Sequence, residues 1–311
     1  MAVHQETPEM AKAALRAAPR PRRRASSKSS IYGYVFVVPF FAVFAIFMLY
    51  PIIYSLVLSF NRWTAGEMTF VGWANYSHLL NDSLFWRSLM NTGIFLVVQV
   101  PSMVLLATIV AALLKSNTSR FTPALRVAFF LPALIDLVTY SIVFSLMFNE
   151  NNGIINSLIT WIGLDPVPWR SDALWAKVMI IIAITWRWTG YNAIIVLSGM
   201  QNIPDELYEA AALDGVGVIK KFVYITVPML KPILLFCTML STIGTLQLFA
   251  EPLILTGGGP NHGTSTVMLY LYDTAFSSFN FGLASAGAYV VTTIIALLSY
   301  LQIRVSRGGE I

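Results

Sequence analysis

Few side chains of this chain are equipped for chemistry, and the most suggestive of them lie inside apolar runs. In residues 185–192 (TWRWTGYN), Arg187 and Tyr191 are four apart, and so are Trp188 and Asn192. On a helix each pair shares a face. Gln247 and Glu251 are also four apart in a later apolar run, and are expected to share one face of another helix. Aromatic rings set beside amide and guanidinium groups suit a ligand with apolar ring faces and hydroxyls, such as a sugar. Polar groups in such surroundings are costly and tend to be functional. The same residues serve equally well as a structural ion pair, Glu251 neutralising Arg187, or as side chains reaching toward the membrane interface. Asp136, in a third apolar run, carries the same ambiguity, while Gly282, Ala286 and Gly287 read as helix-packing positions.

Covalent chemistry finds no support. No phosphate-cradling Gly-x-x-x-x-Gly-Lys-Ser/Thr occurs, so if ATP drives this protein, another subunit must bind it with its Mg. His4, His78 and His262 are not spaced as a metal site, and no Ser-His-Asp arrangement carries a supporting signature. The single cysteine, Cys237, allows no disulfide within the chain. No cofactor and no catalytic residue is expected in this chain.

The elements that must position these residues are membrane helices. Apolar residues make up 57% of the chain and charged ones 11%, against about 25% charged in a soluble domain. The apolar residues fall in blocks long enough for helices of roughly 20 residues, and they do not alternate as barrel strands do. The expected spans lie within 31–60, 89–114, 127–148, 177–200, 232–255 and 282–303. Pro39 and Pro51 are candidates to bend the first. Residues 1–30 are polar and basic, too poor in apolar groups to fold alone, and read as a disordered cytoplasmic tail; 31–311 form the transmembrane domain. Fifteen of the 20 Lys and Arg fall in the tail, at Lys115, Arg120 and Arg126, at Lys220, Lys221 and Lys231, or at Arg304 and Arg307. The positive-inside rule then puts both termini in the cytoplasm. Charge placed this way reads as a topology signal, with no nucleic-acid partner.

One polar island, 201–232, interrupts the apolar runs. Pro204, Asp205 and Glu206 suit the start of a helix, and Asp214-Gly215 its end. A second short helix is expected from Val216 to about Thr226. Glu209, Ala210, Ala211, Asp214, Gly215, Ile225 and Pro228 fall in the register of the cytoplasmic EAA loop of ABC importer permeases. Val227 stands where that pattern has Leu. A second stretch, Gly257-Gly258-Gly259-Pro260 within LTGGGPN, resembles the outer loop of carbohydrate-importer permeases of the MalF type, or else a flexible hairpin. The resemblance runs over most of the chain from the first span onward. It implies an all-α membrane protein with about six transmembrane helices and the type I ABC importer permease fold. It implies a sugar importer whose EAA loop docks on the ATPase. It also implies partners: a second permease subunit forming a heterodimer, two cytoplasmic ATPase subunits and an extracytoplasmic sugar-binding protein, all at a bacterial-type inner membrane. The rivals are a secondary transporter driven by an ion gradient, which would need a carboxylate relay or broken helices near the midplane, and a non-transporting membrane scaffold.

Overall fold

The computed structural model describes residues 27–64, 67–116 and 121–307. Most of the expected tail, 1–26, lies outside the described residues, as does Arg120. The chain divides into two compact units, Met1–Tyr54 and Ser55–Ile311. In the first unit the described residues are helical: α1 (Ser27–Phe44), a π-helical turn over Ala45–Leu49, and the start of α2 (Tyr50–Ser59). Pro39 sits inside α1 without ending it. Pro51 has no N–H for the carbonyl of Phe47 and its ring crowds that carbonyl. The π turn falls on that carbonyl, and widening the turn is one way a helix accommodates the clash.

The second unit opens with a hairpin of β1 (Asn61–Thr64) and β2 (Glu67–Phe70), antiparallel with Asn61 opposite Phe70. A lone hairpin is marginal in water; here Asn75 Nδ2 donates to the carbonyls of Ser59 and Asn61, both at 2.9 Å, and ties it to α3 (Ala74–Asn81). There follow α4 (Ser83–Ser116), α5 (Thr122–Leu134), α6 (Leu137–Met147), α7 (Ile154–Trp161) and α8 (Ala173–Gln201). The polar island holds α9 (Asp205–Leu213), α10 (Val218–Lys221), a π turn over Phe222–Thr226 and α11 (Val227–Met229). Then come α12 (Lys231–Leu246), α13 (Ala250–Thr256), α14 (Val267–Tyr272), a π turn over Asp273–Ser277 and α15 (Phe281–Arg307).

Four described helical stretches are long and apolar enough to cross a membrane, and two bent pairs raise the count to the expected six. The bent pairs depart from the expectation of plain spans. Between α5 and α6 the chain turns by 96°. Ile135 and Asp136 are extended there, and the Asp136 carboxylate caps α6 by accepting from the N–H groups of Val138 and Thr139 at 3.0 and 3.1 Å. Asp136 is therefore a helix start, a place where an acidic side chain satisfies free N–H groups. The stretch from α10 through α11 meets α12 at 70°. Helix α12 stops at Leu246, well short of 255, with Gln247 as its last cap and Phe249 off the helical backbone at φ −134° and ψ −58°.

The bundle centres on α4 against α8, with α5 and α12 flanking them. Gly190 is what lets α5 lie on α8: a Cβ there would fall 1.6 Å from the carbonyl oxygen of Phe129. The apolar core separates into three clusters. The first gathers Phe95, Tyr140, Phe144, Met179 and Ile180 from α4, α6 and α8. The second, at the end carrying α9, gathers Ala111, Leu114, Leu197, Met200 and Leu230. The third joins Leu79 and Phe85 to Tyr270, Leu271 and Leu283.

Candidate functional site

A cavity of about 530 Å³ opens between α4, α8 and the α12–α13 break, a volume typical of a small-molecule site. Trp188, Tyr191, Asn192, Gln247 and Glu251 line it, five of the six pathway residues expected from sequence. The break after Leu246 undoes the expected shared face of Gln247 and Glu251. Gln247 caps one helix, while Glu251 sits in the first turn of the next, where the helix dipole favours a carboxylate. Both still reach the cavity because the chain folds around it.

Arg187, the sixth, lies behind the wall and is buried. Glu251 is not its direct partner. Tyr140 stands between them: its Oη donates to Glu251 Oε1 at 2.5 Å, and the guanidinium carbon lies 4.5 Å from the centre of its ring. The Trp188 ring centre is 5.5 Å from the same carbon. Arg187 Nε and Nη1 have no protein acceptor, so the ring faces are what hold the cation. The expected ion pair is thus a stack of cation, phenol and carboxylate, which ties α8, α6 and α13 together.

The cavity floor is polar in a way the sequence pairs do not announce. Gln99 Nε2, Asn192 Nδ2 and Ser241 Oγ all approach the thioether sulfur of Met103, at 3.6, 3.5 and 3.8 Å. Thr245 Oγ1 lies 3.0 Å from Gln99 Oε1. Asn192 Oδ1 is buried with no protein partner. Gln99, Met103, Tyr140, Ser241 and Thr245 were not singled out from sequence. Gln99 carried the same signal as Arg187, a polar side chain within an apolar run. The others become visible only once α4, α6, α8 and α12 are brought together.

The Gly257–Pro260 loop is not a loose hairpin. Gly257 and Gly258 take left-handed backbone at φ +61° and +79°. Thr264 donates to the Gly259 carbonyl at 2.7 Å and also contacts Thr256 Oγ1 at 2.6 Å. Asn91 Nδ2 donates to the carbonyls of His262 and Ser265, both at 3.0 Å, so α4 holds the loop from below. Gly259 and Pro260 then lead to exposed Asn261 and His262 at the loop tip. Nearby, the loop after α6 is organised by Asn156, whose amide serves Glu150, Val167 and Trp169 at 2.8 to 3.1 Å.

At the opposite end of α8, α9 and α10 form the expected hairpin. Gly215 ends α9 at φ +70°, with open space where a Cβ would point, so backbone conformation alone requires glycine. Val216 and Gly217 are not helical and α10 begins at Val218; the helical path then runs on through the π turn and α11 to Met229, past the expected end near Thr226. Pro228 stands four residues after Tyr224 within that π turn, the same relation as at Pro51. Glu209, Ala210, Asp214, Gly215 and Pro228 are exposed, and Ala211 and Ile225 half-buried. Three apolar side chains of the hairpin are highly exposed: Leu213, Val218 and Ile219, at 90%, 84% and 80%. Exposed apolar groups of this kind suit contact with a protein or with a membrane surface. Tyr208 Oη and Thr226 Oγ1, 2.9 Å apart, pin the two arms together.

Comparisons with known proteins agree with this architecture. Residues 74–308 match the family described as binding-protein-dependent transport system inner membrane component. The lactose transport system permease protein LacF of Rhizobium radiobacter is 46% identical over 282 residues, 89% of this chain and 94% of that one. The arabinooligosaccharides transport system permease protein AraP of Halalkalibacterium halodurans is 36% identical over 279 residues, 89% of this chain and 88% of that one. Among solved structures, a chain of a bacterial ABC transporter that imports the acidic polysaccharide alginate superposes with a TM-score of 0.80 at 21% identity, covering 90% of this chain and 96% of the other. That likeness is one of fold.

Proposed function

This chain belongs to the family of binding-protein-dependent transport system inner membrane components, and from that premise we propose that it forms the sugar pathway of an ATP-driven importer. As a family member it is a multi-pass inner-membrane permease component, and ATP hydrolysis belongs to a separate subunit. The observation that carries the sugar reading is the cavity. It combines Trp188 and Tyr191, whose rings suit apolar sugar faces, with the amides of Gln99, Asn192 and Gln247 and the carboxylate of Glu251. The names of the lactose and arabinooligosaccharide relatives support the same class of cargo.

In this reading both termini are cytoplasmic, as the distribution of Lys and Arg suggests. The α9–α10 hairpin then faces the cytoplasm and docks on an ATPase subunit through Glu209, Ala210, Ala211 and the exposed Leu213, Val218 and Ile219. A second permease completes the pathway, and a sugar-loaded binding protein meets the opposite face near Gly257, Gly258, Gly259 and Pro260. ATP with Mg, bound by the ATPase pair, closes it. The hairpins follow, and the spans open the cavity outward to receive sugar. Hydrolysis restores the inward-open state.

The test is uptake of a panel of labelled di- and oligosaccharides by cells with and without this gene. Replacing Gly215 by Pro is the matching variant, since Pro fixes φ near −65° where the hairpin needs +70°. Gly215→Pro is expected to abolish uptake with the protein still in the membrane. Wild-type uptake by that variant, or accumulation without ATP, would overturn the reading.

A further inference from the structure

The hairpin joins the spans through a side chain that belongs to no motif. Lys115 stands in the last turn of α4. Its Nζ donates to the carbonyl of Met200 at 2.9 Å and lies 4.7 Å from the centre of the Tyr208 ring. Met200 is in the last turn of α8, where carbonyls have no helical partner and a cation also complements the helix dipole. Tyr208 belongs to α9, and it is the residue that spans the hairpin. Its Oη meets Thr226, and its carbonyl accepts from Lys221 Nζ at 3.2 Å. One ammonium therefore touches the ends of α4 and α8 and, through one ring, both arms of the hairpin.

The surroundings sharpen this contact. Tyr208 packs on the cluster of Ala111, Leu114, Val196, Leu197, Met200, Ile203 and Leu230. The attraction within such a cluster is non-directional. The Lys115 hydrogen bond and ring contact have direction and fix the register of α9 on the two long helices. Those helices carry the cavity: Gln99 and Met103 on α4, and Trp188, Tyr191 and Asn192 on α8.

We propose that Lys115 is the positioning residue through which movement of the hairpin passes to α4 and α8. The inference rests on the docking role proposed for the hairpin. If Lys115 merely capped α8, its removal would act independently of Tyr208.

The experiment uses the complete transporter, with both permeases, the ATPases and the binding protein, in lipid vesicles. The probe is a labelled disaccharide that wild-type cells accumulate. Readouts are ATP-driven uptake, the factor by which loaded binding protein stimulates ATP hydrolysis, and co-purification of the ATPases. Lys115→Met is expected to lower maximal uptake about tenfold, equivalent to about 1.4 kcal/mol, and to bring the stimulation factor close to one. The sugar concentration for half-maximal uptake should be unchanged, and Lys115→Arg should restore both. Tyr208→Leu should match Lys115→Met; Tyr208→Phe, which keeps the ring under Lys115 but loses the Thr226 bond, should fall between Tyr208→Leu and wild type; and the double variant Lys115→Met/Tyr208→Leu should be no worse than the worse single one. Wild-type coupling in Lys115→Met, or single effects that multiply in the double variant, overturns the inference. If Lys115→Met does not hold the ATPases, the Tyr208 pair decides, and equal behaviour of Tyr208→Phe and Tyr208→Leu overturns it. ATP-independent uptake by wild-type vesicles would instead overturn the importer reading.

Discussion

Asn192 faces two ways in the cavity. Its Nδ2 donates to the Trp188 carbonyl at 2.9 Å, and its buried Oδ1 has no protein partner. A buried unpaired acceptor costs about 1–3 kcal/mol, and a hydroxyl donor in the cavity offsets that cost once the amide turns its covered Oδ1 toward it. Asn192→Leu, close in volume, is therefore expected to raise the half-saturating sugar concentration by about three- to tenfold, as the loss of a neutral hydrogen bond would. Maximal rate and membrane abundance should be little changed; transport kinetics and immunoblots check this. The pairing of Trp188 with Asn192 was legible because both lie on one unbroken helix, where spacing maps directly to a face. Gln247 and Glu251 misled for the opposite reason. Their spacing had meaning only if the helix continued, and Leu248 and Phe249 leave it. The interposed Tyr140 was illegible, because it comes from a helix 111 residues away in sequence from its carboxylate partner.

At the scale of elements, apolar run length fixed the number of spans but not their straightness. The 96° turn at Asp136 and the 70° turn at Leu230 arise from capping and proline chemistry within otherwise apolar stretches, which hydropathy averages away. Broken helices near a ligand cavity were reserved for the rival secondary transporter; here they occur in a permease of the binding-protein-dependent family, so they do not discriminate between the two. The loop after α6 offers a test of local electrostatics. Burial alone would push the Glu150 carboxyl up, but bonds from Ser171 Oγ and the N–H groups of Arg170 and Ser171, with the Arg170 charge, hold it below the usual carboxylate range. A depressed folded value means that this stabilisation is present above the unfolded value of about 4.3 and is lost as pH falls through the folded value. Hydrogen-exchange protection of residues 149–172, after correction for the intrinsic pH dependence of amide exchange, should therefore fall at the acid end, below about pH 4. Glu150→Gln should exchange faster at neutral pH and lose that acid dependence.

For the whole molecule, the proposed orientation is argued from charge asymmetry, and it has a direct readout. Cys237 is fully buried, so the native chain gives little background with a membrane-impermeant maleimide. Trp161→Cys, at the end of α7 and highly exposed, should label in intact spheroplasts. Leu213→Cys, on the hairpin, should label only after the membrane is opened. The reverse pattern would put the hairpin on the wrong side for an ATPase. The fold class and the hairpin were legible because each depends on local rules: run length, caps and a glycine at positive φ. The exposed Leu213, Val218 and Ile219 were not. A motif records which residues recur in a register, whereas exposure depends on how the hairpin is seated.

Met103 gives the cavity floor its character. A thioether is a weak acceptor, yet three polar side chains converge on it. Asn192 Nδ2 is also held by the Trp188 carbonyl, while Gln99 Nε2 and Ser241 Oγ are aimed at the weak acceptor. A guest oxygen can take over either of those donors at small loss, and return it on leaving just as readily. In the proposed pathway, a floor built this way favours passage of an oxygen-rich guest over its residence.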